Sequence, residues 1–509
     1  MSDFTEAQFI ELVKQSEAEA ARDFGAYKTK VALFALLGYI VIFTVLVSLV
    51  LLVGGTLGIA LLSGSLFLLL IKKKIIIAIL AAIWTFLKAL WIKFDPPTGY
   101  ELKRDQFPEL FDEIDSLTRS LKSLKIHQVF IENDLNAAVV QHPRFGVLGG
   151  QRNVLFLGLQ MLLALSPEEM RAVLAHEFGH LSGNHSRFRG WIYRVRTSWL
   201  RVMTAFRHSN SFGARMMRRF FNWYAPTFEA YSFALARADE YEADRMAAQL
   251  TSPETAAKAL INSHTKAPYI EQEFWDAYIR KADDMPEPPT LPFEGLAEFL
   301  KHSPMTREKL LELIQRGMQE ETHYADTHPS LKERVNSLID LPVIPDVFDT
   351  NAAEAWLGEK YQDVLTHFDK QWLDHNAERW KGRFTHVQNA KAILQEAESL
   401  DLDVVTDDKL WALAKAAHEF KGNDAALPLF ERFQQRKPDS VGAAYFIGAI
   451  LAARGDEQAL RHLRIAFKSP ETLDDAARWG YHLLKSRGKE QEAEYWWQEA
   501  IRANEQLPS

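Results

Sequence analysis

From Val31 to Ile71 the chain carries no charged residue, 41 positions in all. A helix rises about 1.5 Å per residue, so the block would run about 60 Å, twice a hydrocarbon core of about 30 Å. Gly54-Gly55 divides it. Two membrane spans, at about residues 31–53 and 56–71, joined by a tight turn, are the reading this pattern favours over one buried core helix. Lys28 and Lys30 precede the block and Lys72-Lys73-Lys74 follow it, so the positive-inside rule puts both ends in the cytoplasm. Residues 75–92 leave two readings open. They are apolar enough to span, yet Lys88 interrupts them, and Trp84 and Trp91 are residues that favour an interface. A helix lying along or dipping into the membrane is the favoured reading; a third span would move everything after it to the opposite side. Ahead of the block, residues 4–27 have helical spacing (Phe4, Phe9, Ile10, Leu12, Val13) and lack the order of a signal peptide. They read as a short cytosolic helix leading into the membrane.

The remaining length, out of 509 residues, leaves room for two to four domains. The soluble part begins near Asp95-Pro96-Pro97. Residues 105–124 space Phe107, Leu110, Ile114, Leu117 and Leu121 as one helix face. Strand-like runs follow at His127–Glu132, Ala137–Gln141 and Asn153–Leu157, the last beyond the turn-forming Gly149-Gly150. An edge strand there can pair with an extended peptide, or the strands merely pack. Ser166-Pro167-Glu168-Glu169 then starts a helix: Ser at the N-cap, Pro at the first helical position, Glu three after the cap.

That helix runs, on an apolar back of Met170, Val173, Leu174, Phe178 and Leu181, through His176-Glu177-Phe178-Gly179-His180. Positions four apart share a helix face, so His176 and His180 can aim two imidazoles at one metal ion. Glu177 is offset and can reach a water on the metal's open side. This is the H-E-x-x-H pattern in which Glu acts as general base. The chain has no cysteine, so a metal site must be built from histidines and carboxylates.

A catalytic zinc needs a third protein ligand. His185 is near, but the spacing H-E-x-x-H-x-x-G-x-x-H calls for a histidine at position 186, which is Ser186. A shift of one residue turns a side chain by about 100°. The better placed alternative is Glu240 in Arg237-Ala238-Asp239-Glu240-Tyr241-Glu242-Ala243-Asp244. Asp244, one turn on, can accept a hydrogen bond from a ligand imidazole. Asp239 and Glu242 point elsewhere round the helix and read as solvated or paired with arginine. By spacing alone an ordinary charged helix is an equal reading.

Taken together, His176–His180 and Arg237-x-x-Glu240-Tyr241-x-Ala243-Asp244 resemble the integral-membrane zinc metalloprotease family of the CAAX prenyl endopeptidases and the bacterial stress protease HtpX. That family pairs H-E-x-G-H with a downstream R-x-x-E-[FY]-x-A-D. Asn136-Ala137-Ala138, Val154-Leu155-Phe156-Leu157-Gly158-Leu159, and His328-Pro329 followed by Leu331 and Arg334 match as well. The resemblance covers about residues 125–340. It implies a gluzincin fold with His176, His180 and Glu240 as ligands of one zinc ion, Glu177 as base, and His328 stabilising the oxyanion. It also implies protein or peptide substrates in membrane protein quality control. The prenyl endopeptidases have many more spans, so a prenylated substrate is not implied. Family members of the other type carry further hydrophobic segments where this chain is basic.

That basic region, residues 178–228, contains no Asp or Glu and interleaves nine arginines, Arg187 to Arg219, with Trp191, Tyr193, Trp199, Phe206 and Trp223. An amphipathic arm on anionic lipid and an Arg-rich helical pair packed on the protein are equal readings. The net charge of −8 argues against nucleic acid as a partner. Further on, Gly422, Gly455 and Gly488 recur at intervals of 33 residues, followed by Ala426, Ala459 and Ala493. The period suggests tetratricopeptide-like helix pairs with a protein partner or a packing role. Gly358 reads as marking an earlier, divergent unit. His418-Glu419-Phe420 mimics the metal motif but has Gly422 where the second histidine belongs.

The expected architecture is therefore mainly α with a small β-sheet, an α+β zincin domain. Its parts are a polar helical segment at 1–30, a membrane region at 31–92, a metallopeptidase domain at 93–340, and all-α repeats at 341–509. The expected function is a multi-pass zinc endopeptidase of a bacterial inner membrane, catalytic domain cytoplasmic, with the lipid bilayer as a further partner. A membrane-tethered helical-repeat adaptor with a non-catalytic zinc site is the rival, though a purely structural site has no use for Glu177.

Overall fold

The computed structural model describes residues 6–62, 84, 97–143, 151–182, 188, 191–192, 195, 212–303, 305–322, 328–340, 343–397 and 401–507. The chain divides into two compact units, Met1–Asp276 with Thr290–Trp372, and Ala277–Pro289 with Leu373–Ser509.

The first unit opens with helices α1 (Glu6–Arg22) and α2 (Phe24–Leu62). Among the described residues Phe24–Val45, within α2, is the one stretch of helix long and apolar enough to cross a membrane. α2 itself runs unbroken through Gly54-Gly55, where the sequence suggests a turn. A glycine inside a helix costs only about 1 kcal/mol relative to alanine, which a 39-residue apolar helix absorbs. The rest of the expected second span, and residues 75–92 apart from Trp84, lie outside the described residues.

Four strands, β1 (Tyr100–Leu102), β2 (Gln128–Glu132), β3 (Ala137–Pro143) and β4 (Gln151–Gly158), form one mixed sheet in the order β1-β2-β4-β3. β2 and β4 pair in parallel, and the two edge strands are antiparallel to their neighbours. The central strands bury consecutive apolar residues: Val129, Phe130 and Ile131 in one, Val154 and Leu155 in the other. On the edge strand β3, by contrast, Val140 is exposed. Gly158 closes β4 against the loop between β2 and β3; a Cβ there would fall 2.2 Å from the Asp134 carbonyl oxygen. Helix α3 (Pro108–Ser120) buries Leu110, Phe111, Ile114 and Leu117 on the face its spacing predicts.

α4 (Leu159–Ala164) leads into α5 (Pro167–Gly179), which carries the complete capping box of Ser166 and Glu169. The Glu169 carboxylate also accepts from Asn262 at 2.7 Å, tying the start of α5 to α7 (Pro253–Tyr269). α6 (Phe212–Leu250) crosses α5 between these elements. The unit is completed by α8 (Pro292–His302), α9 (Arg307–Gly317), α10 (Leu331–Leu338) and α11 (Ala352–Leu357). α11 hydrogen-bonds back through Ala352 N–H to the Leu165 carbonyl, and Gly358 caps it at φ 52°. Gly358 thus ends a six-residue helix of the first unit, which runs to Trp372.

α12 (Tyr361–Glu396) leads into the second unit. Three helix pairs follow: α13 (Asp407–Phe420) with α14 (Asn423–Arg436), α15 (Val441–Ala453) with α16 (Ala459–Ala466), and α17 (Pro470–Ser486) with α18 (Glu490–Gln506). The 33-residue glycines sit at the turn inside each pair, at φ 86°, 75° and 72°. A left-handed backbone there explains why glycine recurs. The small residues that follow are fully buried (Ala426, Ala459, Ala493), and Gly480 lets Trp496 lie against its helix. His418 packs its ring against Phe430 and Phe446, and Glu419 pairs with Arg383 and His386, so the motif mimic is structural.

Candidate metal centre

The site forms where α5 ends against the middle of α6. His176 and Glu177 lie in the last turn of α5, and His180 is its C-cap residue. Gly179 faces α6 at closest approach: a Cβ on it would meet Ala243 Cα at 3.2 Å and Met246 Sδ at 3.3 Å. The glycine of H-E-F-G-H and the alanine of the downstream motif are therefore two sides of one helix crossing. This close approach brings Glu240 under the histidine pair.

The three side chains converge on one point. His176 Nε2 and His180 Nε2 are 3.1 Å apart. Glu240 Oε2 lies 3.5 Å from His176 Nε2, and its Oε1 lies 3.3 Å from His180 Nε2. Ligand atoms about 2.0–2.1 Å from a tetrahedral zinc stand about 3.4 Å from one another. The observed spacings therefore match a preformed cradle. Among the described residues His176, His180 and Glu240 are the group placed to hold a metal ion. His185 lies outside the described residues.

A buried network fixes the cradle. Asp244, 2% exposed, faces His176 Nδ1 at 2.8 Å, which sets Nδ1 as the protonated nitrogen and leaves Nε2 free to bind metal. Arg334 of α10 donates to the same carboxylate through Nε at 2.9 Å and Nη2 at 2.7 Å. Tyr241 bridges the same two helices by donating to Glu333 at 3.3 Å. The sequence marks Arg334 only as one piece of a pattern, and its role escapes a reading by local spacing. The available signal is charge: Glu240 and Asp244 share a helix face and are both buried, which demands a cation from elsewhere. Of the two readings for Asp239, solvated or paired with arginine, its burial excludes the first. Arg237 pairs with Glu17 of α1.

Electrostatics favour a divalent cation. Burial alone would lower the pKa of His176, but Asp244 and Glu240 on its two nitrogens raise it to about 9. Burial opposes the charges of Glu240 and Asp244 as well. His176, His180 and His328 nevertheless hold the Glu240 carboxyl well below its usual range, and Arg334 with His176 does the same for Asp244. Counting Glu177, three carboxylates face one guanidinium, leaving the histidine pair in a field that attracts about two positive charges.

Glu177 itself is half-buried. Desolvation raises its pKa; His176 opposes that rise, and the Glu240 charge adds to it. Its carboxylate accepts the backbone N–H of Val139 on β3. The base is thereby held beside the sheet's exposed edge, a contact the sequence does not reveal. His328 is 66% side-chain exposed, with Nδ1 2.9 Å from Glu240 Oε2. The resemblance implies an oxyanion role for it; in this arrangement it holds the ligand carboxylate.

The family model of peptidase family M48 matches residues 116–341. The matched stretch contains every residue of the centre and supports an M48 metallopeptidase, a zinc-dependent family. A search of curated proteins finds no match.

Proposed function

We propose that the protein is a membrane-anchored zinc endopeptidase, with His176, His180 and Glu240 as the three protein ligands of one zinc ion and Glu177 as general base. The observation that carries this reading is the convergence of the three donor groups at zinc-ligand spacings, with a glutamate adjacent in the same helix. When bound, zinc would polarise the scissile carbonyl and acidify a water molecule. Glu177 takes the proton of the attacking water and delivers it to the leaving nitrogen, and its raised pKa suits both halves of that task. Asp244 and Arg334 hold the imidazole of His176 in register. His328, exposed at the rim with Nδ1 on Glu240, would donate through its other ring nitrogen to the carbonyl oxygen of a bound peptide.

The edge strand β3 supports a peptide substrate. Its free side offers backbone groups to an extended chain, and Val139 ties that strand to Glu177. The gluzincin assignment rests on Glu240 as third ligand, contributed by a second helix. Membrane anchoring through α2, a cytoplasmic catalytic domain and a role in clearing membrane proteins complete the reading. The three glycine-linked helix pairs are tetratricopeptide-like and serve to bind a protein partner.

Removal and return of metal test the proposal. Full-length protein stripped with a chelator should lose cleavage of an unfolded protein substrate and regain it with one equivalent of zinc. Cleavage that persists in the stripped, zinc-free protein would end the reading.

A further inference from the structure

The membrane helix and the ligand helix are one packed assembly. Contacts between α6 and α2 ascend one helix as they descend the other, whereas those between α6 and α1 ascend both together. Arg237 pairs with Glu17, and Phe233 meets Phe9 with ring centroids 5.9 Å apart. Tyr27 donates to the Tyr231 carbonyl and Tyr224 to the Phe34 carbonyl, each at 2.8 Å. Phe34 stacks on Tyr224 at 4.8 Å. α2 and α6 are therefore antiparallel, and α6 serves as a ruler from the apolar part of α2 to the metal centre.

The outer surface shows where a bilayer would begin. On α2, Ile40, Phe43, Val50 and Leu51 point outward, Phe43 67% and Leu51 68% exposed. On α6, Arg219 and Asn222 are exposed and Trp223 is 41% exposed. An arginine in mid-hydrocarbon costs about 2.5–3.5 kcal/mol, whereas Trp and Arg are at home among headgroups. The level of Arg219–Trp223 is therefore interfacial, with Arg218 and Arg215, within about one turn further along α6, at the edge of the headgroup layer where long side chains snorkel to water. By the Tyr224–Phe34 pairing, that level corresponds to about Phe34–Tyr39 on α2. From Tyr39 to Leu62 the helix rises about 35 Å, which fits a hydrocarbon core of about 30 Å with modest tilt.

We propose that the bilayer surface meets the protein at Arg219–Trp223, so that the metal centre stands off from it, and the enzyme cuts extramembrane polypeptide and no bond in or at the membrane. This rests on the zinc endopeptidase reading above. From Trp223 to Glu240 along α6 is about 25 Å, or about 20 Å after tilt. At about 3.3 Å per extended residue, a membrane-tethered substrate must supply about six residues before its scissile bond reaches the site.

Two measurements on the full chain in bilayer nanodiscs test this. The sequence has no cysteine, so single-cysteine variants can be spin-labelled without background. Labels at Phe43→Cys should be oxygen-accessible, those at Asn222→Cys should sit at the lipid–water crossover, and those at Arg245→Cys should be reached by a water-soluble nickel chelate. A label at Arg245→Cys shielded in lipid, or one at Asn222→Cys in mid-hydrocarbon, would overturn the proposal. Second, a single-span model protein bearing an unstructured tail is digested and its cleavage sites are mapped. Cuts should begin about six residues from the span; cuts inside the span or within its first two flanking residues would refute the standoff. If neither this protein nor a soluble unfolded one is cut, the peptidase reading fails, while the label depths still decide the geometry.

Discussion

Asp244→Asn perturbs the metal centre without touching a ligand. The carboxylate is buried, 2.8 Å from His176 Nδ1, and takes two hydrogen bonds from Arg334. Asparagine keeps the size but removes the negative charge and one accepting oxygen, so its amide N–H₂ must face either a guanidinium or an imidazole N–H. His176 loses the partner that fixes its tautomer, and Arg334 becomes a poorly balanced positive charge near the cation. Loss of such an outer partner typically weakens metal binding by about 10–100-fold, or about 1.4–2.7 kcal/mol. The structure places this variant towards the upper end, because orientation and charge are lost together. Competition with a chelator of known zinc affinity measures the change, with circular dichroism confirming that the fold is retained. Zinc affinity within threefold of the wild type, in a folded variant, would refute the reasoning.

Gly179→Ala should force α5 and α6 apart by a few tenths of an ångström, because its Cβ would meet the Ala243 backbone at 3.2 Å. A cost of about 1–3 kcal/mol is expected as a lowered Tm, together with weakened zinc binding as Glu240 moves from the histidines. Zinc affinity should also rise with pH. His176 without metal has its pKa raised to about 9, so below that pH binding must release its proton. About tenfold tighter binding per pH unit between 7 and 9 is the expected trend in chelator competition, and a flat profile would contradict it. By the same sign, the metal-free fold has the full contribution of His176 below its unfolded value of 6.5 and loses it as pH rises towards 9. His328→Gln should lower kcat by about 10–100-fold while zinc stays bound, as removal of an oxyanion donor does; an unchanged kcat would remove its catalytic role.

Features signalled locally were legible in the sequence. Ser166-Pro167 and Glu169 announce α5, the spacing of Leu110, Ile114 and Leu117 announces α3, and 33-residue glycines announce the paired helices. The histidine pair follows from helix geometry alone, and Glu240 was one of two candidates until the helix crossing brought it to the pair. Interactions closed over long distances were hidden. Arg334 reaches Asp244 from 90 residues away, and Val139 reaches Glu177 from the sheet edge. The turn expected at Gly54-Gly55 illustrates the opposite error. Glycine permits a turn without requiring one, and continuous backbone hydrogen bonding carries α2 through the pair as one helix.

Glu177→Gln provides the most direct test of the central claim, with zinc content and peptide-bond cleavage measured on the same preparation. The substitution leaves His176, His180 and Glu240 in place and removes only the ability to accept a proton. One zinc per chain should be retained while the cleavage rate falls by about 10²–10⁴-fold, the worth of a positioned general base. Undiminished cleavage with zinc bound would show that Glu177 is not the base and that the proposed chemistry is wrong.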